Sequence, residues 1–315
     1  MSQSVPEAQS TDSVLMIRPL EFYPNAETAS NNVFQRTLEG VPAPELLRLA
    51  QAESDALAAA LREAGVNVCV LDSRAGAETP DALFPNNWFS THADGRIVLY
   101  PMYARNRRRE RRADVLEALG SRFGFVTGPV TDLSGLEDRG VYLEGTGSLL
   151  IDRPNRTVYV CRSVRSHPEG IAAVEAALDL RAVVFSALDG NGFPIYHTNV
   201  MLALGSEFAV VCLEAVDDPA ERAMLRASLL ASGRSLVEIS RAQMGEFAGN
   251  ALELRARDGG RVLALSTRAW ASLSSAQQRQ VEQHGRAVAV PIPVIETIGG
   301  GGVRCMLAEI YLPRA

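Results

Sequence analysis

The chain has 315 residues and carries 31 basic and 37 acidic side chains, which gives a formal net charge of −6. Every basic residue is Arg, so enzymes that need a lysine Schiff base, a Walker A lysine or the strand lysine of a kinase are excluded. The mildly acidic balance argues against general nucleic-acid binding, which needs a clustered excess of basic charge.

The amino-terminal segment and the cysteines bear on the cellular compartment in which the protein is expected. Residues 1–13 are polar and acidic and lack the order of a signal sequence, so we expect a disordered tail there. No apolar run reaches the roughly 18–20 residues that a membrane-spanning helix needs. The cysteines are far apart and show no metal-ligand spacing: Cys69, Cys161, Cys212 and Cys305. Free thiols without an export signal favour the cytoplasm.

The predicted elements follow a recurring order along the chain. A strand at 14–18, a helix at 44–63 and a strand at 66–72 come first. Four hairpins follow, each completed by a helix and a further strand: 87–102 with 107–119 and 123–127, 147–162 with 168–178 and 181–186, 199–216 with 219–230 and 235–239, and 251–266 with 268–284 and 287–293. A strand at 305–312 closes the chain.

These elements form about five units of two strands, a helix and a third strand. We therefore predict one domain over residues 14–315, an α/β fold built as a five-fold pseudo-symmetric propeller. A doubly wound sheet is disfavoured because no Gly-x-Gly-x-x-Gly motif stands between a strand and a helix. The glycine run Gly299–Gly302 precedes a strand in this prediction, so it is not a phosphate cradle.

The residues that start the hairpins and the closing strand recur at intervals of 53–57 residues. They are Asn87, Glu144, His197, Asn250 and Cys305. In a closed ring of repeats, equivalent positions lie around one axis, so a carboxylate, an imidazole and a thiol are expected to meet in one central pocket. Asn250 receives no chemistry at this stage beyond lining that pocket.

A thiol, an imidazole and a carboxylate in one pocket suit covalent catalysis on a planar, electrophilic carbon. Cys305 is the candidate nucleophile, and its reactive form is the thiolate. His197 is the candidate proton shuttle because the pKa of imidazole lies near neutrality. Glu144 is the candidate for holding substrate N–H groups by charge-assisted hydrogen bonds.

Four motifs carry a resemblance to a known superfamily. They are Pro80–Asn87, Leu143–Ser148, Tyr196–Asn199 and Gly299–Met306, in that order. Together they resemble the guanidine-modifying (pentein) superfamily, which contains arginine deiminases, dimethylarginine hydrolases and glycine amidinotransferases. The chain is most similar to the arginine-deiminase-related branch of citrulline-utilisation hydrolases, often labelled amidinotransferase. The resemblance covers nearly the whole chain from about residue 14.

The resemblance implies a role for each of three residues. Cys305 matches the nucleophile that attacks the central carbon, His197 matches the general acid and base, and Glu144 matches the carboxylate that binds the planar head group. The implied mechanism needs no cofactor, and the four His and four Cys show no metal-ligand spacing.

The resemblance also implies arginines that bind the substrate carboxylate. Arg165 occupies one such position, and Arg107 or Arg108 matches a second. The implied partner is a small amino-acid substrate, with neither nucleic acid nor membrane involved. The oligomeric state stays open, a homo-oligomer included.

One departure from the family pattern bears on the substrate. Guanidine-hydrolysing relatives have acidic residues where Asn86 and Asn87 stand, and they often carry His-x-Asp where this chain has Asn199 after His197 and Thr198. Burying a guanidinium against Glu144 alone leaves its charge undercompensated. We therefore expect a neutral ureido substrate, with Asn87 donating to its carbonyl oxygen. Citrulline would then give ornithine, ammonia and carbon dioxide through a thioester at Cys305. The alternative is deimination or amidino transfer from arginine or another guanidino compound.

Two other functional classes stay open. A propeller of this kind could bind another macromolecule without catalysis, but it would not need Cys, His and Glu at the pocket positions. A cysteine amidase of a different fold needs its Cys near the front of a helix, whereas Cys305 is expected to start a terminal strand. The segment Pro24–Gln35, with Asn25 and Asn32, is a candidate loop over the pocket.

Overall fold

The computed structural model describes residues 7–315, and fifteen strands within them form five three-stranded sheets. The strands are β1 Ser13–Arg18, β2 Asn67–Asp72, β3 Phe89–Thr91, β4 Ile97–Leu99, β5 Val130–Asp132, β6 Leu149–Asp152, β7 Thr157–Cys161, β8 Arg181–Phe185, β9 Leu202–Leu204, β10 Phe208–Val211, β11 Ser235–Glu238, β12 Leu252–Arg255, β13 Arg261–Ser266, β14 Arg286–Val290 and β15 Ala308–Glu309.

The described residues also contain ten α-helices and five short 3-10 helices. The α-helices are α1 Ala43–Glu63, α2 Arg105–Arg108, α3 Ala113–Ser121, α4 Gly145–Ser148, α5 Pro168–Leu178, α6 Pro219–Ala231, α7 Arg241–Gly245, α8 Thr267–Ser272, α9 Ser275–Glu282 and α10 Pro293–Gly299. The 3-10 helices are Pro85–Asn87, Ser134–Arg139, Thr198–Val200, Leu213–Ala215 and Val303–Met306. Across residues 7–315, none of the helices is both long enough and apolar enough to span a membrane.

All five sheets share one topology. The middle strand pairs antiparallel with one neighbour and parallel with the other, and a helical connection precedes the parallel strand. Four sheets take their strands from consecutive chain, whereas the fifth has the order β15-β1-β2. Its antiparallel pair joins the two ends of the chain, with Val14 opposite Glu309 and Leu15 opposite Ala308. This topology confirms the predicted five-fold α/β propeller.

The first strands of the sheets contact one another in chain order around an axis. β15 contacts β3, β3 contacts α4 at the start of the next sheet, β6 contacts β9, and β9 contacts β12. The last sheet packs on the first through α1 and β14, which closes the ring. That residues 14–315 behave as one domain stays a prediction.

Burial explains why the sequence forms these elements. Every residue of β6 and β7 is buried, because a helix covers one face of each sheet and the neighbouring sheets cover the other. In α1, Leu46, Ala50, Leu57 and Leu61 are buried at helical spacing and face β2, β14 and α10. The spacing of apolar residues in the sequence therefore indicates which side of each element packs against the core.

Several predicted elements differ from the observed ones. The strand expected at 123–127 lies instead at Val130–Asp132, because Phe125 bridges to Arg314 and the chain turns against Gly95 before it pairs with β4. The helices expected at 107–119 and 268–284 are each divided in two, the second at Ser274, whose side chain caps α9. Cys305 lies in a 3-10 turn and does not start a strand.

The expected tail over residues 1–13 is too long. Ser10 and Thr11 are buried, the Thr11 hydroxyl donates to the Ile310 carbonyl, and the Thr11 carbonyl accepts from Arg255 N–H. Residues 7–12 therefore run along the closing sheet, and Ser13 begins β1. The part of the prediction that concerns residues 1–6 lies outside the described residues.

A buried ion pair joins two of the sheets and supplies a stability test. Arg234 donates to both carboxylate oxygens of Asp152, at 2.5 and 3.1 Å, with both side chains buried. Asp152→Asn leaves the guanidinium without its counter-charge and is expected to lower the free energy of unfolding by about 3 kcal/mol. The control is Glu238→Gln, which breaks the half-exposed pair with Arg226 and should cost less than about 1 kcal/mol. Urea unfolding of both variants measures the difference, and equal losses would contradict the assignment.

Candidate active site

The starts of the hairpins meet at one end of the ring. Short turns at Pro85–Asn87, Gly145–Ser148, Thr198–Val200 and Val303–Met306 each lie directly before or within one residue of a first strand. Asn87, His197 and Cys305 line one buried cavity there, whose water-accessible volume is about 20 Å³. The structure therefore brings together residues that are separated by more than 200 positions in the sequence.

His197 and Glu144 form a buried hydrogen-bonded pair. Nε2 of His197 lies 2.8 Å from Oε2 of Glu144, and a carboxylate can only accept, so Nε2 carries the proton. Burial lowers the pKa of His197 to about 4, although the Glu144 carboxylate opposes this. At neutral pH the imidazole is uncharged, and its Nδ1 is free to accept a proton.

Glu144 is held as a carboxylate by its neighbours. Burial alone would raise its pKa, but the guanidinium groups of Arg165 and Arg107 and the hydrogen bond from His197 hold the pKa well below its usual range. Its second oxygen accepts from Tyr103 N–H at 3.0 Å. In this conformation Glu144 therefore orients His197, and all of its contacts are with protein donors.

Cys305 is presented by the turn Val303–Met306 after the glycine run. Its Sγ lies 3.3 Å from Nδ2 of Asn250 and 3.5 Å from Nδ2 of Asn199. Burial raises the pKa of the Cys305 thiol, although Asn250, the charge of Arg304 and Asn199 lower it in part. The free site therefore holds a thiol beside a neutral imidazole.

Two arginines reach the cavity and each has an acidic partner. Arg107 forms a bidentate pair with Glu110, at 2.9 and 3.0 Å, and donates to Oδ1 of Asn87 at 2.9 Å. Arg165 donates to Glu144 at 3.2 Å and stacks over the ring of Tyr196 at 4.9 Å. Both guanidinium groups are buried, and their binding of a substrate carboxylate stays a prediction.

Three residues predicted for substrate binding lie elsewhere. Arg108 points away from the cavity to Met102 O and Glu137 and is the wrong one of the two neighbouring arginines, because one helical step turns its side chain outwards. Asn199 does not line the cavity, and its amide contacts the Cys305 sulfur. Asn86 is fully buried behind the cavity, and its side-chain amide has no partner among the described residues.

The segment Pro24–Gln35 lies over the cavity, as predicted. Asn25 donates to Asp81 at 2.7 Å, and Asn32 donates to the carbonyls of Gly299 and Gly300 at 3.3 and 3.4 Å. Oδ1 of Asn31 accepts from Nε of Arg165 at 3.1 Å. The cavity has room for about one water molecule, so it must widen before an amino acid can bind.

Sequence reasoning missed some residues of the site. Asp81 lines the cavity as a buried carboxylate, 3.8 Å from Nε of Arg107. It stands inside the first motif of the resemblance, but only the two amides of that motif received a role. Glu110 carried no sequence signal. Tyr196 stands in the third motif but received no role, and Asn250 is in phase with the repeat and received no chemistry.

The chemistry available is that of a buried thiol, a neutral base and two carboxylates. Within residues 7–315 no cluster of three His, Cys, Asp or Glu side chains is arranged to hold a metal ion. The base lies beside the cavity that holds the nucleophile, so proton transfer and attack on a planar carbon can occur at one place.

Comparison with known families gives one match over most of the chain. The sequence profile described as N,N dimethylarginine dimethylhydrolase, eukaryotic, matches residues 18–312. No curated protein sequence matches the chain.

Several solved structures of hydrolases have a similar fold. The product-bound N-terminal domain of ArgZ, described as an arginine dihydrolase from Cyanobacteria, has a TM-score of 0.71 and 18% identity over 96% of this chain and 99% of that domain. Full-length ArgZ has a TM-score of 0.72 and 18% identity over 96% of this chain, which spans 41% of its length. A dimethylarginine dimethylaminohydrolase with an S-methyl-L-thiocitrulline adduct has a TM-score of 0.64 and 17% identity, over 95% of this chain and 99% of that one. At these identities the likenesses show the fold.

Gly147 supplies a test of the site geometry. A Cβ at this position would overlap Nδ2 of Asn87 and lie 2.8 Å from Nδ1 of His197. Gly147→Ala should displace the base and lower the rate of Cys305-dependent turnover by about 100-fold or more. Gly135→Ala is the control, since nothing lies within 4 Å of its Cβ position. Unchanged turnover in the Gly147 variant would place His197 outside the reaction.

The low pKa of His197 predicts how stability depends on pH. The unfolded imidazole, with a pKa near 6.5, binds a proton before the folded one does, so stability falls as pH falls through this range. From pH 7 to pH 5 the loss assigned to His197 is about 2 kcal/mol, for a folded pKa of about 4. Denaturant unfolding at both pH values should show this loss in the wild type and not in His197→Gln. Identical pH dependence in the two proteins would rule out a buried neutral His197.

Proposed function

Since the chain belongs to the N,N dimethylarginine dimethylhydrolase family, we propose that it hydrolyses a C–N bond in the guanidino group of a free amino acid. The observation that carries the proposal is a buried thiol, Cys305, in one cavity with His197 and with the carboxylate Asp81. Arginine and its Nω-methylated forms are the proposed substrates. This is the alternative reading of the sequence, and the site supports it better than a ureido substrate.

The proposed first step is attack by the sulfur of Cys305 on the central guanidino carbon. The Cys305 proton passes to the pocket base, His197, and a tetrahedral adduct forms. Protonation of one nitrogen by His197 then breaks its C–N bond and releases ammonia or a methylated amine. The product of this step is an alkylthiouronium on Cys305, which still carries the rest of the substrate.

The proposed second step is hydrolysis of that intermediate. Water gives a proton to Nδ1 of His197 and adds to the same carbon. Collapse of this second adduct breaks the C–S bond as its hydroxyl proton passes to the sulfur of Cys305, and a ureido amino acid leaves. His197 then returns its proton to solvent. Glu144 accepts from Nε2 of His197 throughout and stabilises the imidazolium that forms in each step.

Charge in the cavity favours a cationic substrate over a neutral one. The opposite charges of Arg107 and Glu110 cancel within their bidentate pair. The remaining buried groups are the acids Asp81 and Glu144 and the guanidinium of Arg165. Burial raises the pKa of Asp81, although Arg107 and the hydrogen bond from Asn25 oppose this, and with Asp81 ionised the excess is one negative charge. Arginine has a net charge of +1 and would balance it, whereas citrulline is neutral. A neutral ureido substrate is expected where Glu144 is the one buried carboxylate of the site, and Asp81 supplies a second.

A cationic head group would also assist the nucleophile. Burial raises the pKa of Cys305, so a thiolate is disfavoured in the empty site. A guanidinium placed against the sulfur favours the thiolate by direct Coulomb attraction in a medium of low dielectric constant. A neutral ureido group offers no such assistance.

One observation favours a second reaction in the same site. Nδ2 of Asn87 is buried and has no partner among residues 7–315, and Asn87 lines the cavity. It could donate to the carbonyl oxygen of a ureido product and promote its further hydrolysis to ornithine, ammonia and carbon dioxide. The whole conversion would then be that of an arginine dihydrolase. Amidino transfer would instead need ornithine as the first leaving group, with the amidino group left on Cys305 for an amine to accept.

Two further properties are proposed. A reducing compartment such as the cytoplasm suits the four free cysteines. A homo-oligomer remains a prediction from the sequence.

Substrate preference tests the proposal directly. At pH 8, above the pKa of about 7 that burial gives Glu110, kcat/KM should be higher for arginine or a methylated arginine than for citrulline. Cys305→Ser should have no measurable turnover. Asp81→Asn should reduce kcat/KM for arginine by about 10- to 100-fold, through the lost charge-assisted contact, and affect citrulline less.

The control for Asp81 is Asp258→Asn in an exposed turn, which should leave both activities unchanged. Faster turnover of citrulline than of arginine by the wild-type protein would overturn the guanidino assignment. An equal effect of Asp81→Asn on both substrates would remove the charge argument.

A further inference from the structure

The sulfur of Cys305 lies against two amide donors from different sheets. Nδ2 of Asn250, which precedes β12, is 3.3 Å from Sγ, and Nδ2 of Asn199, in the turn before β9, is 3.5 Å from it. All three side chains are buried. The sulfur thus receives two side-chain N–H groups, as a thiolate requires.

The orientation of the Asn250 amide follows from its second contact. Nδ2 also lies 3.0 Å from the backbone carbonyl oxygen of Asn199, so its two N–H groups are divided between that carbonyl and the sulfur. Rotating the amide by 180° would place Oδ1 against the carbonyl oxygen, which is repulsive. The donor is therefore the group that faces Cys305.

Both amides leave their acceptor oxygen unused. Oδ1 of Asn250 and Oδ1 of Asn199 are buried, and neither finds a hydrogen-bond partner within the described part of the chain. A buried unpaired carbonyl is costly, and an apolar side chain of similar size would avoid the cost. Each of the two amides directs an N–H group at the same sulfur and leaves its oxygen unpaired, which indicates that these N–H groups have a function.

We propose that Asn250 is a catalytic residue, which stabilises the thiolate of Cys305 when it forms and fixes its direction of attack, with Asn199 as the second donor. This inference rests on the proposed function only in taking Cys305 as the nucleophile. An amide suits a cationic substrate because it stabilises the thiolate without adding a positive charge that would repel the guanidinium. A lysine or a protonated histidine at this place would stabilise the thiolate but would also repel the guanidinium.

The charged groups around the sulfur do not replace these donors. Arg304, in the same turn, donates to Leu307 O at 2.9 Å and to Glu309 at 2.7 Å, and so acts on Sγ only through its charge. The other titratable groups that face the cavity are Asp81, Arg107, Arg165, Tyr196 and His197. Within residues 7–315 none of these five donates a hydrogen bond to Sγ.

Gly302 belongs to the same arrangement. A Cβ at this position would lie 2.6 Å from Oδ1 of Asn250 and would push the amide away from the sulfur. The glycine therefore leaves room for the unpaired oxygen and keeps the donor in place.

The experiment measures the reactivity of Cys305 without any substrate. The rate of alkylation by iodoacetamide is followed from pH 6 to pH 10 by mass spectrometry of the peptide that contains Cys305, which separates it from the other three cysteines. The variants are Asn250→Leu, which keeps the volume and removes the donor, and Asn250→Ala. The control is Asn67→Leu, since Asn67 lies 3.9 Å from another cysteine sulfur, that of Cys69, away from the cavity.

The expected result is an upward shift of the pH profile in both Asn250 variants, with alkylation at neutral pH slowed by about tenfold or more. The Leu variant should melt near the wild-type temperature, because it removes a buried unpaired oxygen together with the donor to the Asn199 carbonyl. The control should keep the wild-type profile. A wild-type profile in either folded Asn250 variant would overturn the proposal, whatever the substrate proves to be. Conversely, failure to turn over guanidino compounds would leave this shift intact.

Discussion

The antiparallel pairing of β1 with β15 is the constraint on which the site depends. It joins the two ends of the chain in one sheet and so closes a ring of five sheets. Cys305 lies just before β15, and its partners lie in turns before the first strands of other sheets. No local segment could bring these side chains together, since each comes from a different unit. The site therefore forms only when the ring closes. The pairing of β15, a strand of only two residues, positions Cys305 in the site.

Burial sets the protonation state of the base and of the nucleophile in the cavity. It lowers the pKa of His197 and raises that of Cys305, so the empty site holds an uncharged base and an uncharged nucleophile. Arg165 and His197 counteract burial at Glu144 and keep it ionised. The site thus contains a fixed negative charge and a thiol that lacks a stabilising cation. A guanidinium balances this negative charge and supplies the missing cation. The amide donors of Asn199 and Asn250 stabilise the sulfur without adding a positive charge that would repel the guanidinium.

Much of the fold was predictable because its signals are local. Alternating apolar strands, turn residues and helix starts recur once in each unit, and their repetition indicated the propeller. The regular interval between hairpin starts placed Cys305, His197 and Glu144 around one axis. What failed depended on contacts between distant segments: the displacement of β5 by the contact with Gly95, the packing of residues 7–12, and the choice of Arg107 over Arg108. Asp81 was missed, although it stands inside the first motif, because its burial beside Arg107 follows only from the fold.

The most direct test of the account is mass spectrometry of the intact protein, quenched during turnover with arginine and followed by mapping of the modified peptide. The account predicts an adduct on Cys305 with the mass of arginine less ammonia, which disappears as substrate is exhausted and is absent from Cys305→Ser. A carbamoyl group on Cys305, formed with citrulline but with no adduct from guanidino compounds, would contradict it, as would an adduct on any other residue.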